Sequence, residues 1–331
     1  MKIKYILLFI VFVFSFGATA QEKATPLKGE GSINMLIRYG YTYEDLGEFV
    51  RINKGKFTKD KTLILGVEYK LPSKEKQVAE RGKVVGKEYK EPLFGKGYET
   101  YTVESKVLEG ACIYLVSGHG GPDPGAMIKA EGKFVHEAEY AYDIMLRLAR
   151  NLLVQGATVH IIIQDSKDGI RDERILKRTA DTETCMGKTI PKAQLERLIQ
   201  RCETITELSK KTKETYQRAI FIHLDSRDDK LPLDVYFYHY GNKGKAFSET
   251  LCETLKASYN KQPHRRGNPF TGSVIYRNLH VLRNTNIVST YAELANMQNV
   301  VNQKRYLEVN NRQALANWLR DGIIKDYNNN K

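Results

Sequence analysis

Four side chains in this 331-residue sequence have types and settings that suit one piece of chemistry: His119, Glu137, His223 and Glu293. His119 lies in ACIYLVSGHGGPDPGA (111–126), where an apolar run breaks into a loop with glycine at 118, 120 and 121. Those glycines remove side-chain bulk on both sides of the imidazole, so a ligand can approach it closely. Glu137 opens a helical pattern, His223 closes the apolar run that begins at Ala219, and Glu293 stands at the end of STYAEL. All four fall at strand ends or helix starts, which places them at one edge of a sheet where they can converge on a single ion. Two neutral imidazoles and one carboxylate, with a fourth position open, suit catalytic zinc, which lowers the pKa of bound water to about 7. A second carboxylate that is not a ligand can take the water's proton and pass it to a leaving amine. That chemistry is amide hydrolysis.

The elements that must position these groups read as alternating strands and helices. After the opening strand, Ala141, Met145, Leu148 and Leu152 recur at helical spacing and stop at Gly156. TVHIII (158–163) reads as a buried strand, and an amphipathic helix follows from Pro191 through Leu195, Leu198, Cys202, Ile205 and Leu208. Next come the strand Ala219–Leu224, the strand DVYFYHY (234–240), the helix KAFSETLCETLKASY (245–259), strands at LHVL (279–282) and STYAEL (289–294), and a last helix with Leu315, Trp318, Leu319 and Ile323. This alternation predicts an α/β domain with a mostly parallel sheet and helices on both faces. In such sheets ligands collect beyond the carboxyl ends of the strands.

Composition sets the frame. A 41% hydrophobic and 27% charged chain has the apolar material for a real core, which excludes wholesale disorder. Residues 1–20, MKIKYILLFIVFVFSFGATA, carry Lys2 and Lys4, an apolar run shorter than a membrane span needs, and small residues at Ala18 and Ala20. They read as a secretory signal peptide cleaved near Ala20, which implies export to the periplasm or cell envelope. No later stretch suits a transmembrane segment in the mature chain. The formal charge of +13 favours anionic surfaces. For an exported protein these are acidic envelope polymers, and no nucleic-acid partner is expected. Cys112, Cys185, Cys202 and Cys252 lack CxxC spacing, against a thiolate zinc site; Cys185 with Cys202 is the expected disulfide.

Residues 26–72 read as strand, helix (around Ile33–Tyr39), helix (Tyr43–Ile52) and strand, with Leu36, Leu46, Phe49, Ile52, Leu63, Leu65 and Tyr69 as a small core. Thr42, three residues before Asp45, reads as the start of the second helix. With its RYG…LGEFVRIN…L..GVEYKLP layout this small α+β (βααβ) segment resembles a LysM domain, which implies binding of peptidoglycan glycan. Residues 73–108, rich in Lys, Glu and Gly, read as a linker with some extended structure.

The motifs GHGGPDPGA (118–126), Glu137 ahead of a helix, IHLDS (222–226) and VLRNT…YAELANMQN (281–299) occur in this order. Over residues 109–328 the chain resembles the zinc-dependent N-acetylmuramoyl-L-alanine amidases of the cell-wall type. The resemblance implies that His119, Glu137 and His223 hold the zinc cofactor and that Glu293 is the catalytic carboxylate. The bond cut would then be the amide between N-acetylmuramic acid and L-alanine in peptidoglycan, and an activator protein becomes a candidate partner. Asp225 and Arg283 accompany the motif positions as candidate substrate contacts. Three departures stand out: the lead-in VSG replaces an aspartate-proline-glycine, residues 167–188 look inserted as a lid or regulatory element, and Ala295 replaces a glycine. Among rival ligands, His136 adjoins Glu137 but points elsewhere from a helix start, His160 and His239 read as packing residues, and His264 and His280 match no motif position. Two other functions stay open. One is a catalytically silent wall-binding protein that recruits or activates other hydrolases; the other is a zinc peptidase acting within the stem peptide.

Overall fold

Alternate strand positions sort the apolar residues into two cores, and this sorting decides which face of the sheet carries the site. The computed structural model describes residues 22–26, 31–32, 35–36, 39, 41, 45–58, 62–73, 87–179, 182–227, 235–261 and 270–331. The chain forms two compact units, residues 1–83 and 84–331.

In the larger unit six strands build one sheet: β1 (Ala111–Ser117), β2 (Thr158–Ile161), β3 (Tyr216–Asp225), β4 (Tyr236–His239), β5 (Ser273–Tyr276) and β6 (Val288–Asn296). Their order is β5-β4-β6-β3-β1-β2. The four strands from β6 to β2 run parallel, whereas β4 is antiparallel to β6 and pairs in parallel with β5. The sheet is therefore mixed, with its parallel part around β1 and β3.

Among the described residues of this unit the α-helices are, in chain order, α1 (Glu137–Val154), α2 (Gln194–Lys211), α3 (Gly241–Asn260), α4 (His280–Asn284), α5 (Val300–Leu307) and α6 (Val309–Asn330). On one face Ile113, Leu115, Ile220, Ile222, Ala292 and Leu294 pack with α1, α3 and α6. On the other Tyr114, Val116, Ala219, Phe221 and Tyr238 pack with Cys202 and Ile205 of α2 and Val281 and Leu282 of α4. Side chains alternate along a strand, so His223, Tyr291 and Glu293 belong to the α2 face.

The seam between α1 and α6 is held by charge as well as packing. Asp143 is fully buried and accepts from Arg147 Nε at 2.8 Å, Arg312 Nε at 2.6 Å and the Arg171 amide at 2.8 Å. A buried carboxylate is tolerated only when partnered in this way.

Several elements differ from expectation. LHVL lies in and around the short helix α4, and a strand appears instead at Ser273–Tyr276; a four-residue apolar run does not separate helix from strand by periodicity. α2 begins at Gln194, three residues beyond Pro191. The strand TVHIII leaves the main sheet after Ile161, and Ile163–Asp165 joins Glu183–Cys185 and Lys188–Thr189 in a separate three-stranded sheet. The expected linker is structured from residue 87: Glu88–Lys90 pairs with Thr100–Thr102, and Phe94 and Leu108 are buried in the core beneath α1. The 167–188 segment also packs closely, with Ile170 and Leu176 buried and Arg171 bonded to Glu139 and Asp168.

Cys185 and Cys202 are not joined; all four cysteines are buried thiols. Cys185 Sγ faces Thr204 at 3.6 Å. Thr204 lies two residues along α2 from Cys202, about 200° around the helix, so Cys202 points away, toward the Val281 carbonyl at 3.9 Å.

In the smaller unit Lys23–Ala24 pairs antiparallel with Tyr69–Lys70, and a helix spans Leu46–Ile52. Ala24, Met35, Leu36, Tyr41, Phe49, Tyr69 and Leu71 form its core. Leu65, expected in that core, is 64% exposed in a turn. The signal peptide expected at 1–20, Thr42 and much of the helix expected around Ile33–Tyr39 lie outside the described residues.

Candidate active site

His119, Glu137 and His223 meet at one end of the sheet. β3 carries His223 outward, and Gly118 pairs beside it through its amide to the Ile222 carbonyl at 2.7 Å. The loop after β1 then turns sharply at His119, whose φ of 61° lies in the left-handed region. A non-glycine residue there costs on the order of 1–3 kcal/mol, and such strain concentrates at functional sites. Glu137 is the first residue of α1. Its Oε2 lies 3.0 Å from His119 Nε2, and its Oε1 lies 2.9 Å from His223 Nδ1. The amides of Ala126 and Leu224 also donate to it, at 3.0 and 3.1 Å.

Two glycines leave the space in which these groups converge. A Cβ at Gly118 would stand 2.2 Å from His223 Cε1. One at Gly125 would stand 2.6 Å from His119 Cδ2 and 2.8 Å from Glu137 Oε2. No substituent fits at either position while the triad keeps its arrangement.

The electrostatics follow from burial and partners. Burial disfavours a charged His119, but hydrogen bonding to Asp123 and Glu137 pushes its pKa up to about 10. Burial also opposes ionised Glu137, yet His119 and His223 hold its carboxyl well below the usual range. Burial leaves His223 with a lowered pKa despite the neighbouring carboxylate. The set therefore holds one firmly ionised carboxylate between two imidazoles, and one ligand atom from each lies within 4.8 Å of the others. Two nitrogens and a carboxylate oxygen are the donor set of a catalytic zinc centre with an open position, so these residues fit that ion.

Glu293 on β6 is the register partner of His223 on β3. It is half-buried, and its Oε2 is enclosed with no hydrogen-bond partner among the described residues. Burial, then the negative charges of Glu137 and Asp225, push its carboxyl well above the ordinary range. Orphaned buried carboxylate oxygens are rare and mark functional positions. Tyr291, two residues earlier, stacks on the His223 ring with centroids 4.1 Å apart.

Asp225, also near the carboxyl end of β3, pairs with Arg227 at 2.7 Å. Arg283 is not at this site. It is exposed on α4, bonds Asn278, and lines a cleft with Arg218 and Val288 at the opposite, amino-terminal ends of β3 and β6. His136 precedes α1 and is not part of the triad. His160 stacks on Tyr114, and buried His239 faces the Gly241 carbonyl. His264 lies outside the described residues, and His280 lines the cleft beside the site.

That cleft, of about 190 Å³, opens between the triad and α2 and is bounded by Val116, Phe221, Tyr291, Leu198 and Val281. Arg197 and Arg201 of α2 border it too. Neither arginine stands out in the sequence, where i, i+4 cations on an amphipathic helix look like a solvated face. Asp123 lies inside the glycine motif and is 3.0 Å from His119 Nδ1; its four-residue spacing from a histidine was the only available signal. Arg178 and Glu183, from the inserted-looking segment, bond the carbonyl and amide of Gly121.

Residues 113–325 match the Amidase_3 family, described as N-acetylmuramoyl-L-alanine amidase. No curated protein matches the chain. Among solved structures it is similar to the amidase AmiC2 of Nostoc punctiforme (18% identity, TM-score 0.48, 67% of this chain and 99% of that one). It is similar also to the catalytic domain of the amidase CwlV from Bacillus (Paenibacillus) polymyxa var. colistinus (18%, 0.48, 67% and 99%). The CwlD amidase of Clostridioides difficile, solved in complex with the GerS lipoprotein, gives 19%, 0.48, 66% and 100%. The chain belongs to the Amidase_3 family of N-acetylmuramoyl-L-alanine amidases.

Proposed function

We propose that this protein is an exported, zinc-dependent peptidoglycan hydrolase that cleaves the amide between N-acetylmuramic acid and L-alanine. The observation that carries the reading is the convergence of His119, Glu137 and His223 near Glu293, whose Oε2 is enclosed and unpartnered among the described residues, within a domain of the amidase family. His119, Glu137 and His223 would hold zinc, which when bound polarises the scissile carbonyl and acidifies water. Glu293 takes the proton of the attacking water and delivers it to the departing amine of L-alanine. Its raised proton affinity favours accepting the water's proton. Asp225 contributes to this by its charge, while Arg227 offsets it. Asp123 keeps the His119 ring oriented through Nδ1.

The small unit is proposed as a LysM-like module that binds wall glycan, supported by its paired terminal strands and intervening helix. Export rests on residues 1–20, and the positive charge of the chain suits an acidic wall. Among the described residues no helix is long and apolar enough to cross a membrane.

Digestion of purified sacculi by the zinc-loaded full chain tests the reading. New L-alanine amino termini are expected. Wall binding without any new terminus overturns the hydrolase reading, and new termini elsewhere in the stem peptide overturn the bond assignment.

A further inference from the structure

The helix α2 stands across the cleft from the triad, and two of its side chains reach the loop that carries His119. Arg197 and Arg201 are one helical turn apart, and each is more than nine-tenths buried. Arg197 Nη2 donates to Asp123 Oδ2 at 2.7 Å, and that same oxygen lies 3.0 Å from His119 Nδ1. The other amino group of Arg197 is tied to the Pro191 and Lys192 carbonyls just before the helix, so the guanidinium has little freedom. Arg201 donates through Nη2 to the main-chain carbonyl of His119, the residue held at φ 61°, and through Nη1 to the Arg197 carbonyl.

We propose that Arg197 and Arg201 are positioning residues for His119, one acting on its ring through Asp123 and the other on its strained backbone. The proposal rests on the reading of the triad as a zinc centre. A carboxylate that accepts from Nδ1 leaves the Nε2 lone pair to face Glu137 and an ion, and it fixes the ring's rotation. Asp123 does this only while its own rotamer is held. Its side chain is 24% exposed, and its carboxylate is held by Arg197, by the Gly125 amide at 3.1 Å and by the imidazole itself. Without Arg197 the carboxylate can turn to water. Arg201 has no carboxylate within ion-pair distance among the described residues, and burial lowers its pKa. An apolar side chain of similar volume would be cheaper to bury there. What the guanidinium supplies is donors to two main-chain carbonyls, one of them belonging to the histidine whose backbone is least relaxed.

The test measures zinc affinity of the full chain by chelator competition and the visible spectrum of the cobalt-substituted protein, with thermal melts alongside. Arg197→Gln is expected to weaken zinc binding about 10- to 100-fold and to alter the cobalt bands, and Arg197→Lys to restore part of the loss. Asp123→Asn should mimic Arg197→Gln, and the double variant should be little worse than either single one, since both break one chain of contacts. Arg201→Met should weaken zinc binding, with partial recovery in Arg201→Lys, which also keeps the test informative where the methionine variant fails to fold. Wild-type zinc affinity and cobalt spectrum in Arg197→Gln, or losses that simply add in the double variant, overturn the proposal. If the wild-type chain itself binds no zinc, the zinc reading falls and takes this proposal with it, an outcome the wild-type titration separates from the others.

Discussion

Gly118→Ala isolates the geometry of the His119, Glu137 and His223 cluster from every other property of the loop. The added Cβ would stand 2.2, 2.3 and 2.4 Å from Cε1, Nδ1 and Nε2 of His223. Carbon contacts settle at about 3.5–4.0 Å, so the imidazole would have to retreat by more than about 1 Å. Retreat is blocked, because the ring stacks on Tyr291 with centroids 4.1 Å apart and Tyr291 is itself embedded between His223 and Tyr238. Overpacking of this kind costs about 1–3 kcal/mol, or roughly 2–4 °C in Tm for each kcal/mol in a domain of this size. A reacting group displaced by about 1 Å loses on the order of 100-fold in turnover. Gly132→Ala provides the control. Gly132 has φ +78° and no atom within 4 Å of a built Cβ, so alanine there strains only the tip of the hairpin in which Met127–Ala130 pairs antiparallel with Lys133–His136. Thermal melts, chelator competition for zinc and hydrolysis of sacculi are measured on both variants. Gly132→Ala should lose about 1 kcal/mol and keep zinc affinity and turnover; Gly118→Ala should lose all three. Unchanged zinc affinity and turnover in Gly118→Ala would refute the argument that His223 must stand over a bare Cα.

Glu293→Gln should keep zinc affinity and lose about 10²- to 10⁴-fold in hydrolysis; normal hydrolysis removes Glu293 from the mechanism. Asp143→Asn leaves Arg147 and Arg312 buried without their shared anion and should cost about 3–5 kcal/mol in denaturant melts. Burial raises the Asp143 pKa, but the two arginines hold it at about 2; its folded value is below the unfolded one, so its stabilisation is present above about pH 4 and is lost as pH falls toward 2. Glu183 behaves oppositely. Burial pushes its pKa up to about 7, so ionising it costs stability, and the wild type should become less stable between about pH 4.5 and 7 as pH rises. Glu183→Gln can still accept from Gly121 and should flatten that slope, with Tm compared at the two ends of the window; an unchanged slope places the titration elsewhere.

What could be read from the sequence was whatever repeats or sits at a boundary. The spacing of Ala141, Met145, Leu148 and Leu152 marks α1, and all four are buried. The triad was readable because its members lie where an apolar run ends or a helix begins, positions that the parallel part of the sheet brings to one edge. The unread parts are those decided by long-range partners. Residues 87–108 are polar enough to pass for linker, yet Phe94 and Leu108 anchor them under α1. The Cys185–Cys202 pairing failed because sequence distance says nothing about which side of α2 each sulfur faces. Arg283 follows a motif residue by chain position only, and the short helix α4 carries it to the opposite end of the sheet.

The departure at the lead-in to His119 acquires a physical meaning from the same contacts. Of the three residues VSG, Gly118 stands directly against the triad, and a Cβ there would strike His223. Val116 and Ser117 end β1, buried and bordering the cleft, and Val116 packs in the apolar cluster beneath α2. The departure at those two positions therefore falls on residues that border the cleft. Support for the loop comes instead from across the cleft, from Arg197 and Arg201 on α2, and from Arg178 and Glu183, which grip Gly121 from the segment that looked inserted. A loop whose central residue is held at φ 61° needs such external bonds to keep one conformation. Residues Arg178 and Glu183 thus brace the turn that carries His119, and on the zinc reading shortening the segment they belong to should weaken zinc affinity in chelator competition even where the four motif residues are intact.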